Sequence, residues 1–422
     1  MIAGIPIEFV LFAATLIGVA LFHHHTFSVA LAGLTAITAY KLIFTGFKSA
    51  AGVAGLAAHM QHEWVVLANL FLLLMGFALL ARHFELSGIP DMMPALLPDD
   101  WKGAFLMLAI VFMLSSFLDN IAAALIGGTM ALKLFNGRVH IGYIAGIVAA
   151  SNAGGSFSVV GDTTTTMMWI DGVSPWKVAD AFVPAFVALF VCGIPAAMQQ
   201  QRFSPIVKEV QPGAHLDLAR VGIVLAILIA AAGANVWANL RMPALLEQLP
   251  VIGLGAWAAI LATAAIRMPE WRLMPQNFKG TAFLLALVTA ASMMPVEELP
   301  TASWPATLVL GFLSAVFDNI PLTALALKQG GYDWGMLAYA VGFGGSMIWF
   351  GSSAGVAITN LFPESKDAVA WMSGGWHVAV AYVAGFAVML SLLGWHPDPA
   401  HRRKASEQGI THPVAAQPGS GR

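Results

Sequence analysis

Three aspartates stand in stretches of this chain too apolar to welcome them. Asp119 lies in Ser115-Ser116-Phe117-Leu118-Asp119-Asn120-Ile121, and Asp318 in Ser314-Ala315-Val316-Phe317-Asp318-Asn319-Ile320, an echo displaced by 199 residues. Asp162 follows Ser151-Asn152-Ala153-Gly154-Gly155-Ser156 and Gly161, and precedes Thr163, Thr164, Thr165 and Thr166. That segment also has an echo, displaced by 190 residues, in Gly344-Gly345-Ser346 with Gly351. An ionisable group near a bilayer centre costs at least about 2.5–3.5 kcal/mol, so each aspartate is a functional-site hypothesis. Two motifs duplicated in one order mean two homologous halves, and buried acids at repeat-related positions suit a transporter.

So much Gly, Ser and Thr between residues 151 and 166 argues against a helix chosen for propensity and predicts an unwound break in a span. Opened backbone there offers carbonyls and hydroxyls, with Asp162 as an anionic donor, and hard oxygen ligands suit a small alkali cation. The second copy, residues 342–355, keeps its glycines and the hydroxyls of Ser346, Ser352 and Ser353 but has no carboxylate at the Asp162 equivalent. The expected site is therefore asymmetric. Asp119, Asp162 and Asp318 are expected to converge near the midplane. No Lys or Arg within these spans is an obvious counter-ion, so the carboxyls would hold protons until a cation displaces them.

Elements that could place these residues follow from composition. Hydrophobic residues make up 59% of the 422-residue chain and charged ones 10%, and mean hydropathy is +0.78, which marks a polytopic membrane protein. A net charge of −2 carries no message about nucleic acid, and the lone Cys192 excludes disulfides and cysteine metal sites. The first Lys or Arg is Lys41, so residues 1–22 lack the basic start of a signal peptide and read as a retained first span. Apolar runs predict spans near 2–22, 27–46 and 64–81, an interfacial stretch at 84–98, and a re-entrant hairpin over 103–134. A broken span at 141–170 and a last span at 179–198 complete the half. The second half repeats the order: 217–240, 249–266, 279–294, a hairpin at 304–328, a broken span at 334–362 and a final span at 374–394.

The expected fold is thus an all-α polytopic membrane protein. It has two inverted repeats of five spans plus one re-entrant hairpin each, with broken helices at the midplane. An odd span count in each half is what inverts the second. Boundaries fall at 1–198 for the first repeat, 199–216 for a cytoplasmic linker, 217–395 for the second repeat and 396–422 for a disordered tail. Ten basic residues on the linker side (Arg82, Lys102, Lys133, Arg138, Arg202, Lys208, Arg267, Arg272, Lys279, Lys366) face Lys48, Lys177, Arg241 and Lys328 on the other. The bias puts the linker in the cytoplasm and both termini outside a cell membrane, although the basic tail argues the other way.

Leu118-Asp119-Asn120, Asn152-Ala153-Gly154-Gly155 with Gly161-Asp162-Thr163-Thr164-Thr165, Phe317-Asp318-Asn319-Ile320-Pro321, and Gly344-Gly345-Ser346 with Gly351-Ser352-Ser353-Ala354-Gly355-Val356 resemble the signature segments of NhaD-type sodium/proton antiporters, in the ion transporter superfamily. The resemblance implies an elevator-like fold of two inverted repeats in a multi-pass protein, of a bacterial inner membrane by expectation. It also implies a sodium or lithium site at the hairpin tips and helix breaks, and exchange for protons. Carried over by position, the ion-binding and proton-coupled residues are Asp119, Asn120, Asn152, Asp162, Thr164, Thr165, Asp318 and Ser352, joined by the repeat-related Asn319 and Ser346. Sodium is expected at Asp119, Asp162 and Asp318. The chain departs from the family at Ile121-Ala122-Ala123-Ala124, where threonines are usual, and at Val159, where proline is.

Plainer readings exist for the same residues. A membrane Asp can simply accept from the exposed N–H groups of a helix end. His23-His24-His25 reads as an interfacial polar cluster, Gly142 and Gly146 as helix packing, and Trp64, Trp101, Trp176, Trp304 and Trp334 as an interface belt. Asp333, in a loop, is the natural control position. Two other functions compete. A sodium-coupled carboxylate or other anion carrier would share the fold but wants few carboxylates at its site. An intramembrane aspartyl protease needs glycine where Val159 stands and a Tyr-Asp inside a span, whereas Tyr332-Asp333 is the one Tyr-Asp here. The expected partners are sodium or lithium, protons, the bilayer and a second copy in a homodimer, with no enzymatic chemistry and no cofactor.

Overall fold

The computed structural model describes residues 5–22, 25–47, 50–92, 97–206 and 216–398 of the chain. His23, His24, Lys48, half of the expected linker (207–215) and the tail beyond residue 398 lie outside the described residues. Every long element among those described is a helix. The first half runs α1 (Ile7–Leu21), α2 (Thr26–Tyr40, prolonged by a π turn over Lys41–Thr45), α3 (Gly52–Glu85) and short α4 (Ile89–Met92). A hairpin of α5 (Trp101–Ser115) and α6 (Asn120–Leu134) follows. A broken helix then comprises α7 (Ile141–Ser156) and α8 (Thr163–Ile170), before short α9 (Pro175–Ala179) and α10 (Phe182–Phe203).

The second half has α11 (Leu218–Arg241), α12 (Pro243–Gln248), α13 (Val251–Thr263) and α14 (Met274–Ser292). Its hairpin is α15 (Trp304–Ser314) with α16 (Asn319–Gln329), and its broken helix α17 (Trp334–Gly344) with α18 (Ser353–Leu361). Short α19 (Ala368–Gly374) meets α20 (Trp376–Leu392) at a 61° bend. Among the described residues four helices are long and apolar enough to cross a membrane: 26–45, 52–85, 175–203 and 218–241.

Most expected elements appear, with informative differences. The third span is a 34-residue helix rather than 64–81, because a hydropathy scan stops at His59, His62 and Glu63 while helix propensity does not. The first break is narrower than expected: Asn152 to Ser156 stay helical, and only residues 157–162 leave the helix. Small residues there serve close packing rather than unwinding. Every residue of α7 from Gly142 to Ser156, and all of α17, is buried. Trp64, Trp176 and Trp304 are exposed, but Trp334 is 1% exposed at the start of α17 and belongs to no interface belt.

Packing sorts the helices into two groups. α2, α3, α11, α13 and α14 lie against one another as a frame, with α1 against α2. Both hairpins, both broken helices, α10 and α20 form the other group, in which α7 packs against α17. Within it the halves interlock: α8 lies against α16, and α18 against α6. Contacts of α14 with α16 and of α3 with α8 join the groups. The duplicated glycines are what permit the tight crossings. A Cβ at Gly154 would stand 2.0 Å from the Phe112 carbonyl oxygen, and one at Gly344 would stand 2.3 Å from that of Gly311. The same holds where breaks meet hairpins, Gly161 against Ser115 O at 2.2 Å and Gly351 against Ala315 O at 2.6 Å.

Candidate functional site

All three aspartates are helix N-caps. Asp119 accepts from Ile121 N (2.9 Å), Asp318 from Ile320 N (3.0 Å) and Asp162 from Thr164 N (3.0 Å). A carboxylate at this position satisfies an orphan donor and sits at the positive end of the helix dipole. The halves match in detail: φ/ψ is −55/141 at Asp119 and −53/139 at Asp318, and −145/146 at Asp162 against −143/152 at Ser352. Ser352 caps α18 by accepting from Gly355 N at 3.2 Å, so a hydroxyl does in the second half what the Asp162 carboxylate does in the first.

Between these caps runs a buried network of neutral side chains. Asp162 Oδ2 accepts from Asn120 Nδ2 at 3.2 Å and from Asn319 Nδ2 at 3.5 Å, one amide from each hairpin tip. Asn120 Nδ2 also donates to Asn152 Oδ1 at 3.0 Å. Asn152 Nδ2 in turn donates to Ser346 Oγ at 2.9 Å and Ser352 Oγ at 3.1 Å, which ties the helical end of the first break to the second break. Asn120, Asn152, Asp162, Asn319, Ser346 and Ser352 are at most 4% exposed. Thr165 turns its hydroxyl back onto Ser158 O (2.6 Å) and Asp162 O (2.9 Å), a structural bond across the break. Thr164 is fully buried beside Asp162, and its hydroxyl makes no well-formed hydrogen bond among the described residues.

Asp119 and Asp318 stand outside that network. Both are half-buried and line a cavity of about 650 Å³ between the frame and the hairpins. Ser353, one of the hydroxyls expected in the second break but not among the expected ion-binding residues, donates to Asp318 Oδ2 at 3.2 Å. Asp119 and Asp318 share the cavity wall, whereas Asp162 is bonded to the amides of Asn120 and Asn319, the residues that follow them; among the described residues no three His, Cys, Asp or Glu side chains gather as a metal cluster. No ion pair found among those residues reaches them. On the cavity wall Arg82 binds Glu270 (2.6 Å) and Glu85 (2.8 Å), which line it too. Asp333 is not the bland loop residue expected. It is 7% exposed, caps α17 at Met336 N (3.0 Å) and accepts from His396 N (2.9 Å).

No family model matches the chain. It is 28% identical over 327 residues to sodium/proton antiporter 1 of Arabidopsis thaliana, covering 68% of this chain and 55% of that protein. It is 26% identical over 312 residues to the Na(+)/H(+) antiporter NhaD of Vibrio parahaemolyticus, covering 61% of this chain and 72% of the relative. To the NhaD of Alkalimonas amylolytica it is 25% identical over 334 residues, 67% of each. The chain is a distant relative of the NhaD-type antiporters. It spans little more than half the length of the Arabidopsis protein. Against the NhaD pattern, Ile121 and Ala122 place apolar groups on the cavity wall next to Asp119.

Proposed function

We propose that this chain is a secondary transporter, not an enzyme, that exchanges sodium for protons across a membrane, with its two halves inverted relative to one another. One observation carries the reading: Asp119 and Asp318 face a common cavity, while Asp162, buried behind them, is bonded to an amide from each hairpin tip. Among the charged side chains on the largely apolar cavity wall, four are acidic (Glu85, Asp119, Glu270 and Asp318) and one, Arg82, is basic and committed to two glutamates, which favours a cation over an organic anion. The names of the relatives support the same cargo.

Asn120 and Asn319 supply a way to trade one cation for the other. Their amides now present N–H groups to Asp162 Oδ2. A half-turn of either amide presents its carbonyl oxygen instead, which suits a sodium ion or a protonated carboxyl at Asp162. Asp119 and Asp318 meet the arriving sodium first, and Thr164 offers a buried hydroxyl beside Asp162.

Asp162→Asn keeps size and removes the titratable charge. In everted vesicles carrying a pH-sensitive dye, sodium-evoked proton movement should vanish in this variant at normal membrane levels, and likewise for Asp119→Asn and Asp318→Asn. Lithium, potassium and citrate additions read the ion choice. Full exchange by inserted Asp162→Asn overturns the assignment, and citrate-driven uptake that survives all three substitutions supports an anion carrier instead.

A further inference from the structure

The cavity and the strongest contact between the two helix groups lie at opposite ends of the frame. On α3 the cavity is lined by residues from Leu74 to Glu85, in the C-terminal half, and on α14 by residues from Gln276 to Leu284, which stops short of the C-terminal end at Ser292. At the other end of α14, Lys328 Nζ donates to the main-chain oxygens of Ser292 (2.6 Å) and Met294. His59, well before the first cavity-lining residue of α3, Leu74, and so about 22 Å from it along the helix, meets Ser292 Oγ at 2.9 Å. Lys328 is in the last turn of α16, the helix that Asp318 caps at its other end.

An ammonium against the free carbonyls of a helix C-terminus satisfies acceptors that have no intrahelical partner and complements the negative end of the dipole. Here it does so at Ser292 O, the last carbonyl of α14, while Met294 O, just past the helix, also accepts from Val296 N; the contact joins two bodies, since α16 belongs to the hairpins and α14 to the frame. While that contact holds, the second hairpin is pinned to the frame on the side away from the cavity, and Asp318 faces the cavity.

We propose that Lys328 is a latch and positioning residue. It closes the face opposite the cavity, and its release from the α14 carbonyls is a required step in exposing Asp318 to the other side of the membrane. The proposal rests on the transporter reading but concerns the position of a hairpin, so it is tested without transport. Ala357 lines the cavity from α18, and Cys192, the chain's sole cysteine, is buried. Ala357→Cys, in vesicles of both orientations, is labelled with a membrane-impermeant maleimide.

With Lys328 intact, labelling should be fast from one face only. Lys328→Met should slow it from that face and speed it from the other, with the ratio changing about tenfold, the lower end of what a charge-assisted hydrogen bond supports. Lys328→Arg should restore the original ratio, which a merely structural loss would not allow. Lys328→Gln, which keeps a donor without charge, should shift the ratio less, in the same direction. Unchanged ratios in correctly inserted Lys328→Met or Lys328→Gln overturn the latch. Retained antiport by Asp162→Asn would remove the proposed function and leave the labelling result standing.

Discussion

Gly154 is the position at which one methyl group should do most harm. A Cβ there would lie 2.0 Å from the carbonyl oxygen of Phe112, whereas ordinary contact begins at 3.4 Å, so α7 and α5 must part by about 1.4 Å. The obstacle is backbone and cannot rotate away, which places the cost toward the top of the range of about 1–3 kcal/mol for overpacking. α5 leads into the hairpin tip that carries Asn120. The Asn120 bonds to Asn152 (3.0 Å) and Asp162 (3.2 Å) would then exceed hydrogen-bonding range of about 3.5 Å if even 1 Å of the displacement reached the tip. Gly154→Ala should therefore lower the thermal midpoint in detergent and cut sodium-evoked proton movement at least about tenfold per inserted molecule. Gly344→Ala, facing Gly311 O at 2.3 Å, should behave alike, while Gly233→Ala, with nothing within 4 Å, is the control. Wild-type exchange and midpoint in Gly154→Ala, or equal damage from Gly233→Ala, would refute the packing argument.

Two further outcomes concern the network and the frame. Double-mutant cycles pairing Asn152→Ala with Ser346→Ala and with Ser352→Ala should each give couplings of roughly 0.6–1.7 kcal/mol in detergent unfolding; additive losses would mean that the first and second breaks are not linked through Asn152. On the frame, Asp217 precedes α11 and is held below the ordinary carboxylate value chiefly by its bond to Arg267 (2.9 Å). A depressed folded value means that the stabilisation is complete above the unfolded value of about 3.9 and is lost as pH falls through the folded one. Wild type and Asp217→Asn should differ in thermal midpoint at pH 6 and converge on acidification; a difference that grows toward low pH contradicts the sign.

Much of the fold was legible because it is written in apolar run lengths and in one duplicated pattern. The hairpins fell within two residues of their expected bounds, since Asp119-Asn120 and Asp318-Asn319 are caps and a cap fixes where a helix begins. What stayed hidden depends on partners distant in sequence. Asn152 was recognisable, but not that it remains helical and spans to Ser346 and Ser352 of the other half. Ser353 was legible as a hydroxyl of the second break but not as a partner of Asp318, because that bond exists only where α18 folds back beside the second hairpin tip. Trp334 and Asp333 misled for one reason: a residue in a connecting segment reads as peripheral, yet both seal the buried start of α17.

The length of α3 sets a condition on the whole assembly. Its 34 residues make a rod of about 51 Å, against a hydrocarbon layer of about 30 Å. Even a tilt of about 40°, near the upper limit for membrane helices, takes up only about 39 Å. Some 12 Å, about eight residues, must stand in the headgroup layer or beyond it. The polar turns that carry His59, His62 and Glu63 are the natural excess, and His59 shares Ser292 with Lys328. With all of that excess at the N-terminal end of α3, the contact that fastens the second hairpin falls at the edge of the headgroup layer rather than deep in oil. On the latch proposal, headgroup charge and hydration enter the energetics of releasing Lys328, so the Ala357→Cys labelling ratio should differ between membranes of different lipid composition.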